Sequence, residues 1–107
     1  MGGFHKFSRD YRTDDGTLSS GGGTVTVTYK QAIAANSFSP DYVQIINKST
    51  SNKLEVYFNG QSSKVIKIDP AKGFEEDRLK IDSVTITNNS GVSIDYLLYA
   101  RGTEGVQ

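Results

Sequence analysis

Residues that could support catalysis are few in this sequence and lie far apart. His5 is its one histidine, and it falls in a glycine-rich N-terminal segment where nothing fixes the geometry that a general base needs. Cysteine is absent, which excludes a thiolate nucleophile and a thiolate metal site. No serine lies in a nucleophile-elbow pattern with a histidine that could activate it. We therefore predict that the protein is not an enzyme.

Carboxylates offer a second possible chemistry, because Ca²⁺ prefers closely spaced oxygen ligands around a glycine turn. Four acidic residues could gather around one loop, namely Asp69, Glu75, Glu76 and Asp77. Pro70 and Lys72, however, stand where further ligands would be expected. We interpret this segment as a solvated loop and predict neither a metal nor a cofactor.

Aromatic side chains could instead contact a partner. Six tyrosines and five phenylalanines could supply a platform for stacking sugars, although tryptophan is absent. Twelve basic residues balance twelve acidic ones, so no net charge favours nucleic acid. No run of about 18 apolar residues is present, as a membrane-spanning helix would require. We expect neither a nucleic acid nor a membrane as partner.

The N-terminal residues 1–23 have few large apolar side chains and no sustained strand or helix period. They end in the segment Ser19–Gly23, whose composition is typical of a flexible linker. We predict a flexible arm, since so little apolar surface cannot offset the entropy lost on ordering. Its aromatic and basic residues could dock on a neighbouring subunit: Phe4, Phe7, Arg9, Tyr11 and Arg12. The alternative is a solvated tail.

A period-two pattern begins at Thr24, and Thr24–Tyr29 alternates polar and apolar residues as a half-buried strand does. Turn dipeptides such as Asn59-Gly60 then separate about seven or eight short segments of strand-like composition. We predict an all-β fold, a small antiparallel β-sandwich that is jelly-roll-like, with a flexible N-terminal arm. The sandwich should cover residues 24–102, with a short C-terminal tail over residues 103–107.

The alternation also predicts which residues face the core. On the strand that begins at Tyr42, either Tyr42, Gln44 and Ile46 or Val43 and Ile45 could be buried, and the second choice keeps Gln44 in solvent. The other predicted core residues are Val25, Val27, Ile33, Leu54, Val56, Phe58, Ile66, Ile68, Leu79, Ile81, Val84, Ile86, Ile94 and Leu98. Five large apolar residues are left on outward positions: Ile46, Tyr57, Val65, Leu97 and Tyr99. Several of them on adjacent strands would form a patch that contacts a partner.

Three segments carry a resemblance to a known module. They are residues 31–60, residues 64–86 and residues 91–102, and they share turns and core positions rather than an active site. The matching residues are Tyr42, Val43, Ile45 and Asn47, then Leu54, Val56, Phe58, Asn59 and Gly60, then Ile66, Ile68 and Pro70, and finally Phe74, Leu79, Ile81, Asp82 and Val84. This pattern resembles a small β-sandwich found in virion structural proteins of tailed bacteriophages.

The resemblance implies a function in assembly. Such proteins include capsid decoration (cement) proteins, often trimeric, and parts of head fibres and tails. A protein of this kind would be made in the host cytoplasm and would lie on the capsid surface of the virion. We therefore expect a homo-oligomer, with a trimer favoured, that binds the major capsid protein or other virion proteins. The alternative is a receptor- or carbohydrate-binding module of a fibre or tail. We also expect a chain without residues 1–23 to fold but to assemble poorly.

Overall fold

The computed structural model describes residues 9–29, 40–77 and 81–103, which contain eight β-strands. The strands are β1 (Arg9–Leu18), β2 (Gly23–Thr28), β3 (Tyr42–Asn47), β4 (Leu54–Phe58), β5 (Ile66–Ile68), β6 (Gly73–Glu76), β7 (Ser83–Asn88) and β8 (Ile94–Thr103). Helix is absent from the described ranges. The predicted all-β class is confirmed.

Two antiparallel sheets of four strands each form the domain. One sheet has the order β1-β8-β3-β6, and the other has the order β2-β7-β4-β5. The pairs β1–β8, β2–β7, β3–β6 and β4–β5 are those of one long hairpin that folds over on itself. Eight strands paired in this way form a jelly roll, which confirms the predicted sandwich.

The core lies between the two sheets, where the alternate residues of each strand meet. Val43 and Ile45 are fully buried, so the inward face of β3 is the one that keeps Gln44 outside. The predicted core residues of the described ranges are buried, except that Val25 and Ile66 are half-buried and pack against the others. Ile33 and Leu79 lie outside the described residues. Leu18, Tyr29, Tyr96 and Ala100 also belong to the core.

The N-terminal arm was predicted wrongly over residues 9–18. These residues form β1, an edge strand that pairs with β8 along its whole length, from Arg9 opposite Thr103 to Leu18 opposite Ile94. Apart from the buried Leu18, few apolar side chains face inward from this strand, so the sequence lacks the usual apolar signal. Backbone pairing with a distant strand supplies the order instead. Residues 1–8 lie outside the described ranges.

The glycines after β1 form a turn rather than the predicted flexible linker. Gly21 and Gly22 have φ values of 73° and 107°, which glycine adopts without the penalty of a Cβ. Their N–H groups donate to the backbone oxygens of Ser90 (2.9 Å) and Asn88 (2.7 Å). The turn between β1 and β2 therefore docks on the turn between β7 and β8.

The acidic segment after Lys72 is also a strand rather than the predicted loop. Gly73–Glu76 forms β6 and pairs with β3, with Phe74 opposite Ile45 and Glu75 opposite Gln44. Successive residues of a strand point to opposite faces, so Glu75 and Glu76 diverge instead of gathering at one point.

Candidate functional site

Among the described residues, the most distinctive surface is the outer face of the β1-β8-β3-β6 sheet. Its central residues come from the three adjacent strands β1, β8 and β3 in matched rows. One row aligns Tyr11, Arg101 and Tyr42, the next aligns Thr13, Tyr99 and Gln44, and a third aligns Asp15, Leu97 and Ile46. We call the set Tyr11, Tyr42, Ile46, Leu97, Tyr99 and Arg101 the tyrosine face.

Three tyrosine rings and one guanidinium contact each other on this face. The ring centroid of Tyr99 lies 6.2 Å from that of Tyr11 and 6.2 Å from that of Tyr42. The guanidinium carbon of Arg101 lies 4.4 Å from the Tyr42 ring centroid, within the range of a cation–π contact. Tyr11 is 67% exposed, so much of this ring remains open to a partner. The contacts hold large amphipathic side chains in place before any partner binds.

Charged groups surround the aromatic rows. Partial burial raises the pKa of Tyr42, and the Glu75 carboxylate, which hydrogen-bonds this phenol, raises the pKa further. The Tyr42 hydroxyl is therefore neutral near neutral pH and serves as a hydrogen-bond donor. At the opposite end of the face, the Thr17 hydroxyl donates to Asp95 Oδ1 over 2.5 Å. The face thus combines an aromatic and aliphatic centre with charged ends.

The residues predicted to contact a partner fall into three groups. Tyr11, Ile46, Leu97 and Tyr99 come together on the tyrosine face. Tyr57 and Val65 do not join them, because Tyr57 lies on β4 of the other sheet and Val65 directly precedes β5 of that sheet. The remaining residues belong to the N-terminal segment: Arg9 and Arg12 lie on β1, while Phe4 and Phe7 lie outside the described ranges.

Arg12 differs from the other predicted contact residues, because it lies at the inner side of the β1 edge. Its Nε atom lies 2.9 Å from Asp14 Oδ2, and its guanidinium carbon lies 5.8 Å from the ring centroid of Tyr29. Burial, together with the Asp14 carboxylate, raises the pKa of Tyr29 well above its usual range, and burial and the same carboxylate raise the pKa of Tyr96. The contact between Arg12 on β1 and Tyr29, which directly follows β2, closes the sandwich at the edge formed by these two strands.

Sequence reasoning missed two members of the tyrosine face, Tyr42 and Arg101. The predicted contact set includes neither residue: the alternation leaves Tyr42 on one of two possible inward faces of its strand, and Arg101 follows the last predicted strand, which ends at Tyr99. The spacing Leu97, Tyr99 and Arg101 places all three on one side of β8, so this signal was present. That Tyr42 lies beside Arg101 follows from the pairing of β3 with β8, which no local pattern encodes.

The described residues contain no group of three or more His, Cys, Asp or Glu side chains that could hold a metal ion. Within the same ranges, no helix has the length and apolar character needed to cross a membrane.

Comparisons with known proteins support the fold. Neither a family model nor a curated protein matches the sequence. A de novo designed double-stranded β-helix is similar, with a TM-score of 0.55, 15% identity, and coverage of 83% of this chain and 97% of the designed one. A Cupin_2 domain of an XRE-family transcriptional regulator from Enterobacter cloacae gives a TM-score of 0.53 at 10% identity, over 89% of this chain and 95% of that one.

A third similar structure comes from Bacillus endospore appendages, described as disulfide-linked pili. Its TM-score is 0.50 at 14% identity, over 92% of this chain and 89% of that chain. At these identities the three likenesses establish a shared fold and nothing about shared activity.

Proposed function

We propose that the protein is a non-enzymatic structural protein of a bacteriophage virion, a capsid decoration protein that binds its protein partners through the tyrosine face. One observation supports this most strongly. Tyr11, Tyr99 and Tyr42 lie in contact on one outer sheet face, next to Leu97 and Ile46. Tyrosine and arginine are the side chains enriched at the energetic centres of protein interfaces.

The shape of the face favours a protein partner over a small substrate. Outward side chains of a sheet project side by side, whereas the groups of a catalytic site converge on one reacting atom. The aliphatic pair Leu97 and Ile46 gives the face an apolar centre, and Arg101 and Asp95 give it charged ends. This arrangement resembles the apolar core and polar rim of an interface.

The fold and the sequence pattern give further support. A protein of similar fold is found in spore-appendage pili, so this architecture occurs in a repeating assembly. The resemblance to tailed-phage virion modules involves Tyr42 and Asn47 of β3 and the Asn59-Gly60 turn. The expected partners are the major capsid protein and further copies of this chain, and the trimer stays a prediction.

The test is co-expression of the full chain with the major capsid protein of the same genome, followed by sedimentation of the particles. The wild-type chain should sediment with capsids, and Tyr99→Ala should remain largely in the supernatant. Tyr57→Ala is the matched control, because it removes a tyrosine from the other sheet. Intact capsids that leave the wild-type chain in the supernatant would overturn the decoration role.

A carbohydrate-binding module of a fibre or tail is the second candidate, favoured by the 67% exposure of the Tyr11 ring. Sugars stack their apolar faces on such rings, and Thr13, Gln44 and Glu75 supply polar groups one row away. A glycan array probed with the full chain tests this candidate. Saturable binding that Tyr11→Ala abolishes would favour it over capsid decoration.

A further inference from the structure

The outward side chains of β8 are ordered so that this strand is complementary to a second copy of itself running in the opposite direction. Along the strand they are Asp95, Leu97, Tyr99 and Arg101: acidic, aliphatic, aromatic and basic. Consecutive members lie about 6.8 Å apart, since an antiparallel strand rises about 3.4 Å per residue. Two such strands laid face to face in opposite directions would bring each acidic end to a basic end.

We propose that the partner of the tyrosine face is a second copy of the same face. This inference rests on the proposed function, because it identifies one of the partners in the assembly. A two-fold axis crosses β8 between Leu97 and Tyr99, in the plane of the contact. Arg101 then lies opposite Asp95 of the second copy, and Tyr99 lies opposite Leu97 of the second copy. Sheets pack face to face at about 10 Å and within about 30° of alignment, so long side chains can bridge the gap.

The same two-fold rotation also pairs residues of the neighbouring strands β3 and β1. On β3 and the position after it, Tyr42 meets Lys48 of the second copy, and Gln44 meets Ile46 of the second copy. On β1, Thr13 meets Asp15 of the second copy. Lys48 is in register with the acidic end of β8, because its N–H donates to the Asp95 backbone oxygen over 3.0 Å. The operation opposes no two like charges among these described outward residues, as a self-complementary interface requires.

The charged ends are already oriented within each copy. Stacking on Tyr42 at 4.4 Å holds the Arg101 guanidinium over the sheet, and a stacked guanidinium retains N–H donors for a carboxylate. The Thr17 hydroxyl holds Asp95 through Oδ1, which leaves Oδ2 for the second copy. Because these groups are fixed before contact, less side-chain entropy is lost when the two faces meet.

The contact should be weak. Four strands about 4.8 Å apart with outward rows about 6.8 Å apart give a footprint of roughly 400 Å² per copy, against about 800 Å² per partner in a standard stable complex. The dimer should therefore appear only as the protein concentration rises. In a virion, a high local concentration would favour the same contact.

The experiment is sedimentation equilibrium of the full chain over a wide concentration range, for the wild type and three charge variants. Asp95→Arg and Arg101→Asp should each raise the dissociation constant about tenfold or more, because each creates two like-charge contacts in the dimer. The double variant Asp95→Arg/Arg101→Asp should restore the wild-type value. Lys64→Asp, an exposed charge in the turn before β5, is the matched control and should leave dimerisation unchanged. Urea unfolding of every variant checks that each is folded.

Any of four results would overturn the inference, three from the dimerisation measurements and one from the comparison with capsid binding. One is unaltered dimerisation of both single variants, and another is a mass that rises to a trimer without a dimer. The third is rescue of Asp95→Lys by Lys48→Asp, which would indicate an axis parallel to the strands. A chain that stays monomeric but sediments with capsids would sink this inference and leave the proposed function intact. A dimer that does not bind capsids would overturn the proposed function and leave this inference intact.

Discussion

Asn47 and Asn88 occupy equivalent positions, each at the end of a strand, in opposite sheets of the sandwich. Each side chain makes hydrogen bonds to the backbone of the sheet opposite its own. Asn47 ends β3, and its Nδ2 donates to the backbone oxygens of Asn52 (2.8 Å) and Ile68 (3.0 Å). Asn88 ends β7, and its Nδ2 donates to those of Leu18 (3.0 Å) and Val92 (2.8 Å). Both side chains are fully buried. The two amides therefore join the sheets at two related corners of the jelly roll.

The same two side chains also shape the turns that follow them. Asn47 Oδ1 accepts from the Ser49 N–H, and Asn88 Oδ1 accepts from the Ser90 N–H, each over 2.9 Å. These are local bonds of the Asx-turn type, in which the side chain caps the backbone two residues on. One asparagine thus satisfies both a turn and an inter-sheet contact.

We predict that Asn47→Ala and Asn88→Ala each lower the free energy of unfolding by about 2 kcal/mol or more. Each change leaves buried backbone groups without a partner, which costs about 1–3 kcal/mol. Urea denaturation measures the effect, and the midpoint should fall at constant slope. Asn89→Ala is the control, because Asn89 is exposed, and it should alter stability by less than about 0.5 kcal/mol. Equal midpoints for Asn88→Ala and Asn89→Ala would contradict the assigned role.

Removal of residues 1–23 should unfold or strongly destabilise the domain, contrary to the expectation from sequence. The deletion removes β1, takes Leu18 from the core and leaves the Asn88 amide without one of its acceptors. Loss of the Leu18 side chain alone should cost about 2–5 kcal/mol. Circular dichroism during thermal unfolding gives the measurement. Deletion of residues 1–8 is the control that leaves all of β1 in place, and a cooperative transition after the longer deletion at the wild-type temperature would refute this prediction.

Local alternation predicted much of the core because each strand of a sandwich has one face inside. Leu54, Val56 and Phe58 recur at every second residue of β4, and all three are buried. Polar or glycine-containing segments mark the turns between such strands, so the fold class follows from the pattern. These signals act within one strand and need no knowledge of its neighbours.

The remaining features depend on pairing between distant residues, which one strand does not encode. The ten residues of β1 include charged residues and a glycine, and their order comes from pairing with β8 at the other end of the chain. Alternation likewise puts both Tyr57 and Tyr99 on outward positions, but it does not assign a strand to a sheet. Tyr57 therefore lies on the opposite side of the sandwich from the tyrosine face.

A methyl group at Gly23 should destabilise the start of β2. A Cβ there would lie 2.7 Å from the Ser19 backbone nitrogen, inside the turn that joins β1 to β2. Backbone atoms cannot move aside as a flexible side chain can, so Gly23→Ala should cost about 1–3 kcal/mol. Gly91→Ala is the matched control, because a Cβ at Gly91 meets nothing within 4 Å. In urea unfolding, the midpoint should fall for Gly23→Ala and stay at the wild-type value for Gly91→Ala. A wild-type midpoint for Gly23→Ala would show that the turn can relax.

Stability should fall at alkaline pH because of buried phenols. Burial and the Asp14 carboxylate raise the pKa of Tyr29 and of Tyr96 in the folded chain, whereas an unfolded tyrosine has a pKa of about 10. The folded state therefore holds these protons more tightly than the unfolded state does. The stability that the neutral phenols contribute is complete below about pH 10 and is lost as the pH rises above it.

Tyr29→Phe tests this linkage, since it keeps the buried ring and removes the proton. Urea unfolding of the wild type at pH values from about 9 to about 11.5 should give a declining free energy of unfolding, by at most about 1.4 kcal/mol per pH unit for each such tyrosine. The variant should decline less steeply over the same range, while the two proteins run parallel below about pH 9. Ultraviolet absorbance of tyrosinate should show one late-ionising phenol fewer in the variant. Identical slopes for the two proteins would mean that the Tyr29 hydroxyl keeps an ordinary pKa after folding.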